Sequence, residues 1–268
     1  MRVVRLRGRG DFAEWRLAAR RLLNDGTSPE AVTWTAEDTS DLFGCLETSG
    51  PAPTPATITV SKAFADLAES IICHSDPARF ALAYRLLWRL QSERHLLEIA
   101  SDTDVTRARM MAKSVHRDDH KMRAFVRFKD IGNEGPRRRF MAWFEPDHFI
   151  VARAAPFFQR RFNDMDWIIA TPKGTAAWNG ETLTTDDEPA AKPALSDHAD
   201  SLWRTYYCHI FNPARLKVKA MQTHMPKKYW KNLPEAALIP DLIAKATART
   251  DQMIANRNRD QVAGRRLR

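Results

Sequence analysis

The sequence predicts an α+β fold: a small, mostly antiparallel sheet of about four or five strands in the middle of the chain, packed with helices from both flanks. Three observations predict it. Apolar residues recur at helical spacing before residue 122 and again after residue 197. Between residues 124 and 183 the period changes to alternation, punctuated by turn residues at Gly132-Asn133-Glu134-Gly135-Pro136 and Asn179-Gly180. Across that stretch the order strand, strand, helix, strand, strand calls for mainly antiparallel neighbours. With 268 residues, 44% of them hydrophobic, the chain can bury a sizeable core. The expected organisation is one globular domain over 1–256, in which 1–60 is loosely attached, 61–185 carries helices and then the sheet, and 197–256 is a basic, aromatic helical part. Residues 257–268 form a basic tail.

The elements follow in order. Asp11 is placed to cap a helix over 11–24 whose apolar face is Phe12, Trp15, Ala19, Leu22 and Leu23, stopped by Asn24-Asp25-Gly26. A short strand follows at Ala31 to Thr35. The segment Ser49-Gly50-Pro51-Ala52-Pro53-Thr54-Pro55 reads as a stiff, solvated connector. Ser61 caps a helix from Lys62 to about Cys73, Asp76-Pro77 starts another running to about Leu97, and Asp102 or Thr103 caps a third that reaches Met122. Ala124 to Lys129 and Arg139 to Phe144 pair as an antiparallel hairpin, His148 to Phe162 is an amphipathic helix carrying Pro156, and Trp167 to Ala170 is a further strand. Asn179-Gly180 then marks a tight hairpin turn. Helices are expected at 197–210, 213–222 and 235–255.

Composition narrows the function. The net charge of +9 favours an acidic partner, nucleic acid above all. No run approaches the roughly eighteen apolar residues of a membrane span, and a cytoplasmic location without membrane contact is expected. Three well-separated cysteines, Cys45, Cys73 and Cys208, give neither a disulfide framework nor a cluster site. No Gly-rich phosphate loop, nucleophile elbow or resident cofactor is indicated.

Two stretches carry the candidate chemistry. Trp203 to Lys231 holds seven Lys and Arg residues, no Asp or Glu, and six aromatic rings. Cations neutralise phosphates and rings stack on bases, a mixture suited to nucleic acid and especially to single strands. Arg215, Lys217, Lys219, Lys227 and Lys228 are the expected phosphate contacts, with Tyr229 and Trp230 as either base platforms or core. The second stretch is His116-Arg117-Asp118-Asp119-His120. Histidines four apart share a helix face, yet without the Glu of zinc proteases the spacing is more often a solvated helix end, so no metal is assigned. An acid/base arrangement would use His120 with Asp118 or Glu145 orienting it and His148 nearby.

Several segments resemble an uncharacterised bacterial family of probable DNA metabolism proteins: ICHSDPARFALAYRLLWRLQ, RDDHKMRAFVRF, RFMAWFEPDHFIV, the run from Pro156 to Pro172, and FNPARLKVKAMQ followed by MPKKYWKNLPEA. The similarity covers most of 60–240. The matching positions include Asp118, His120, Lys121, Met122, Glu145, Pro146, His148, Asn212, Pro213, Arg215, Lys217, Lys219, Met225, Pro226, Lys228, Tyr229 and Trp230. In that family the domain occurs alone, encoded beside a radical SAM protein placed in DNA modification or repair, or fused ahead of a uracil-DNA glycosylase-like domain. The resemblance thus implies DNA, a radical SAM partner and a uracil-DNA glycosylase-like protein as a further one, while the basic-aromatic composition adds single-stranded DNA. The expected function is a DNA-binding accessory protein in repair or modification. The alternatives are an enzyme acting on DNA or a nucleotide through His120, and a protein-binding adaptor.

Overall fold

The computed structural model describes residues 1–6, 8–35, 60–132, 137–192, 223 and 225–245. Their order is β1 (Arg2–Arg5), α1 (Phe12–Asn24), β2 (Val32–Thr35), α2 (Lys62–Ile72), α3 (Arg79–Arg89), α4 (Thr103–Phe125), β3 (Lys129–Asp130), β4 (Arg139–Trp143), α5 (Val151–Arg161), β5 (Asp166–Thr171), β6 (Gly174–Trp178), β7 (Leu183–Asp186), α6 (Lys227–Trp230) and α7 (Ile239–Ala244). The α+β class holds, with seven α-helices among the described residues and a five-stranded sheet in the order β3-β4-β5-β6-β7. Every ladder of that sheet is antiparallel except β4 with β5, which α5 links by a crossover.

Helix starts follow the capping chemistry. The Asp11 carboxylate accepts from the amides of Ala13 and Glu14, Ser61 Oγ from Phe64, and Asp102 Oδ1 from Asp104 and Val105. Two large buried clusters, with a small third around Leu233, Ala236 and Ile239, fill the interior of the described residues. The first joins α1, β2, α2, α3 and the start of α4 around Trp15, Phe64, Phe80, Tyr84 and Leu86. The second lies between the sheet, α5 and the end of α4, around Phe144, Phe158, Trp167, Ile169 and Tyr229.

The structure corrects three expectations. Of the opening part, the described residues up to Thr35 are not loosely attached: β1 pairs in parallel with β2, and Leu6, Trp15, Ala19 and Leu22 are buried in the first core. The alternation from Ala124 to Lys129 is not a strand. α4 runs on to Phe125, Val126 caps it, and Phe128 turns its ring onto Phe158, Phe162 and Trp167, leaving only Lys129 and Asp130 to pair with β4. α3 ends at Arg89 rather than near Leu97, because the chain turns and a separate 3-10 turn at Leu96–Glu98 buries Leu96 completely. Pro156 falls in the second turn of α5 without ending it. The helices expected at 197–210 and 213–222, the connector after Glu37, the Asn133 to Pro136 turn and the basic tail lie outside the described residues.

Candidate functional site

Six parts of the chain meet around the loop Asp147-His148-Phe149 between β4 and α5. They are the Gly8–Gly10 segment before α1, the loop from Cys73 to Ala78 between α2 and α3, the middle of α4, the loop itself, the Pro172-Lys173 turn between β5 and β6, and α6. The loop is held from below by Asp118 of α4, whose Oδ2 accepts from the amides of Asp147 at 2.8 Å and His148 at 2.9 Å. Beside it the Phe149 amide donates to the Cys73 carbonyl at 2.8 Å. The first segment passes so close that a Cβ on Gly10 would lie 2.8 Å from the Phe149 carbonyl oxygen, so only glycine fits there.

His148 is buried and both its ring nitrogens are used. Nδ1 accepts from the Ser75 amide at 3.2 Å, which fixes the Nε2–H tautomer and makes Nε2 the donor to Ser114 Oγ at 2.9 Å. Burial, aided by the neighbouring His74, lowers its pKa to about 4. It is a neutral structural imidazole at physiological pH. The ring of His74 stands 4.2 Å from it, with the two planes 31° apart. His74 Nδ1 accepts from the Asp76 amide at 3.0 Å, so it too is a Nε2–H tautomer, but its Nε2 has no partner among the described residues. Burial holds its pKa below the usual histidine range.

Asp118 is only 3% exposed, and burial pushes its pKa up to about 6 against the His148 amide bond that favours the anion. Its Oδ1 lies 3.4 Å from Tyr229 Oη. Asp147 is exposed and pairs with Lys228 Nζ at 2.6 Å. Asp76 caps the turn before α3 through the Ala78 amide and pairs with Arg107 at 2.8 Å. Burial alone would raise its pKa, but the Arg107 bond and charge together with the Ala78 amide outweigh this and lower it.

The sequence-derived acid/base set does not assemble. His120 lies on α4 only two residues from Asp118, nearly opposite it around the helix, and is exposed without a hydrogen bond to any described residue. Glu145 is engaged by Lys231 at 2.7 Å and by Trp143 Nε1 at 2.9 Å; burial opposes its ionisation, yet these two bonds lower its pKa. Asp118 and His148 do come together, through the His148 backbone rather than the ring. Their geometry supports the loop and gives no proton-transfer pair. His116 turns toward α2, with Nε2 3.4 Å from Ser70 Oγ. Among the described residues no group of three His, Cys, Asp or Glu could hold a metal ion. The Cys73 thiol is buried, which pushes its pKa up to about 11.

The basic-aromatic segment divides. Arg215, Lys217 and Lys219 lie outside the described residues. Lys227 and Lys228 are exposed on α6. Tyr229 is not a base platform: it is 1% exposed and sandwiched between Phe144, at 5.1 Å and 9°, and Phe125, at 5.5 Å and 25°. Burial raises its hydroxyl pKa far above the usual value. Trp230 is half-buried against the cluster of Leu233, Ala236 and Ile239, and its Nε1 donates to the Met225 carbonyl at 3.0 Å.

Sequence reasoning missed Arg9, His74, Arg79 and Lys173. The signal for two of them was present: His74-Ser75-Asp76-Pro77 puts an imidazole and a carboxylate at a helix start, and Pro172-Lys173-Gly174 is a turn that exposes a cation. Nothing local in Arg9 or Arg79 marks them. No described helix is long and apolar enough to cross a membrane. Comparison with curated proteins and with solved structures finds no match. Asp118, Asp147, His148, Lys173 and Lys228 all fall within residues 77–235, which match the domain of unknown function DUF4130 over more than half of the chain, and the protein belongs to that family.

Proposed function

We propose that this protein binds DNA through its basic surface and serves as an accessory in DNA repair or modification, the catalytic chemistry coming from a radical SAM partner. The carrying observation is the division of α6: Lys227 and Lys228 face solvent while Tyr229 is walled in by Phe125 and Phe144. That arrangement offers charge and withholds a stacking face. The interface it favours reads phosphates, which suits double strands as well as single strands and carries little base preference. The +9 net charge and the segment Trp203 to Lys231, free of Asp and Glu, point the same way.

Fluorescence anisotropy with labelled single- and double-stranded oligonucleotides tests the DNA reading. Binding should weaken steeply with salt, with a slope of log K against log salt of about −0.9 for each duplex phosphate neutralised. Failure to bind at low salt, or affinity indifferent to salt, ends the proposal. Co-expression with a radical SAM protein of the kind that the resemblance implies, followed by co-purification, tests the partner separately.

A further inference from the structure

We propose that Arg9, Arg79 and Lys173, grouped around the ring of Phe149, form a binding site for a phosphate group. Lys173 Nζ stands 4.5 Å from the ring centroid, the Arg79 guanidinium 5.0 Å and that of Arg9 6.0 Å. Three cations thus share one half-buried aromatic ring, and none of them makes an ion pair with a carboxylate among the described residues. The carboxylates of the neighbourhood are engaged elsewhere. Asp76 holds Arg107 and the Ala78 amide, Asp118 holds two amides of the loop, Asp147 holds Lys228, and Asp187 accepts from the Arg9 amide at 2.7 Å.

Such a cluster is costly when empty, since like charges repel and burial strips their water. Arg79 is 4% exposed, and burial, with Arg9 adding to it, lowers its pKa to about 10. Burial likewise lowers that of Lys173, and Arg79 and Arg9 depress it further, although Asp118 and Asp147 pull the other way. The placement of Arg79 is firm. Its guanidinium lies 4.1 Å from the Phe80 ring centroid, Nη1 donates to the Asp76 carbonyl at 3.2 Å and Nη2 to the Arg9 carbonyl at 2.9 Å, while Nε is buried without an acceptor among the described residues. Arg9 and Lys173 are half-buried and stand at the rim.

A phosphate fits this set better than a carboxylate. It brings close to two negative charges and three acceptor oxygens near neutral pH, enough for a fixed guanidinium and two adjustable cations. His74, whose pKa the Arg79 charge helps to depress, adds a neutral imidazole with an unused N–H nearby. The phosphate could be a free or small-molecule phosphate or the terminal phosphate of a nucleic acid, and the inference stands whether or not DNA is the partner.

The test compares wild type with Lys173→Gln and Arg9→Gln, whose side chains are half-buried at the rim, so that loss of the fold does not confuse the result; circular dichroism checks this. Inorganic phosphate is titrated against chloride at constant ionic strength and followed by calorimetry and by 31P line width. In a second arm, 5′-phosphorylated and 5′-hydroxyl oligonucleotides of one sequence compete for the protein. Phosphate binding weakened about tenfold in each variant supports the site with a free phosphate as ligand. A preference for the 5′-phosphate that disappears in both variants supports it with a nucleic acid end as ligand. The proposal is overturned if neither phosphate source distinguishes wild type from Lys173→Gln. DNA binding that survives that negative result would leave the α6 reading standing.

Discussion

At Tyr229 the ring is closed between Phe125 and Phe144, with Lys228 Nζ 4.7 Å from its centroid and held by Asp147. At Phe149 the ring is half-buried and three cations stand around it without a carboxylate among them. Both places set cations beside an aromatic ring. In the first the ring is core and the cation is paired, so the pairing contributes to stability; in the second no carboxylate of a described residue pairs with the cations directly, so the pairing invites a ligand. Proximity of a cation to a ring therefore does not reveal function. What separates the two places is whether the cation beside the ring already has a counter-ion within the fold.

The sharpest way to break this comparison is to remove the Tyr229 ring. Tyr229→Ala should destabilise the protein by about 3–5 kcal/mol, as for other buried aromatics, whereas Tyr229→Phe should cost under about 1 kcal/mol, losing only a long hydrogen bond. Urea unfolding measures both. Equal tolerance of the two would mean that the ring is not part of the core.

Asp118 comes next. Asp118→Ala leaves the amides of Asp147 and His148 without an acceptor and should cost about 2–4 kcal/mol, and through the loop it should also loosen the Phe149 site. Asp118→Asn keeps a carbonyl oxygen for both amides and should be far milder.

That same substitution should change the response to acid. Burial raises the folded pKa of Asp118 from 3.8 to about 6, so its contribution is fully present below pH 3.8 and is lost as pH rises through 6. Burial lowers His148 from 6.5 to about 4, so its contribution is present above pH 6.5 and is lost as pH falls through 4. The two oppose each other between pH 4 and 6.5. The Asp118→Asn variant should consequently lose melting temperature more steeply than wild type over that window, and parallel profiles would contradict the assignment.

The smallest effects separate the two lysines. Lys228→Gln removes an exposed ion pair and should lower stability by under about 1 kcal/mol, whereas Lys173→Gln relieves repulsion and should leave stability unchanged or slightly raised. For DNA, Lys227→Gln and Lys228→Gln should each flatten the salt slope by about 0.9. A slope unchanged in both would remove α6 from the interface.

Much of the fold was legible because local chemistry and tertiary structure agree. Asp11, Ser61 and Asp102 cap the helices that they precede, and Asn179-Gly180 sits in the turn between β6 and β7. The errors came where one pattern served two purposes. Val126 and Phe128 alternate like a strand, yet they are apolar because they lead α4 into the second core. β1 is not legible in the sequence, since its ladder to β2 depends on backbone groups to which the alternating Arg and Val side chains are blind. The site was less legible still. Asp118, His148, Lys228 and Tyr229 were singled out for chemistry or binding, and three of the four turn out to hold the architecture. Arg9, Arg79 and Lys173 converge from positions far apart in the chain, and no local spacing can announce such a meeting.

That separation also sets an order of assembly. The first core is complete once Met111 has been made, whereas the Phe149 site needs Lys173 and the Asp187 carboxylate that grips the Arg9 amide. At typical rates of synthesis the nascent chain spends roughly 4–15 seconds between those two points. In that interval the helical half can fold with Arg79 not yet covered by Phe149 and β1 already paired to β2. The opening residues then wait for the Phe149 loop to close against them, so a stall between Met111 and Phe149 would leave Arg9 and Arg79 uncovered on a half-built protein.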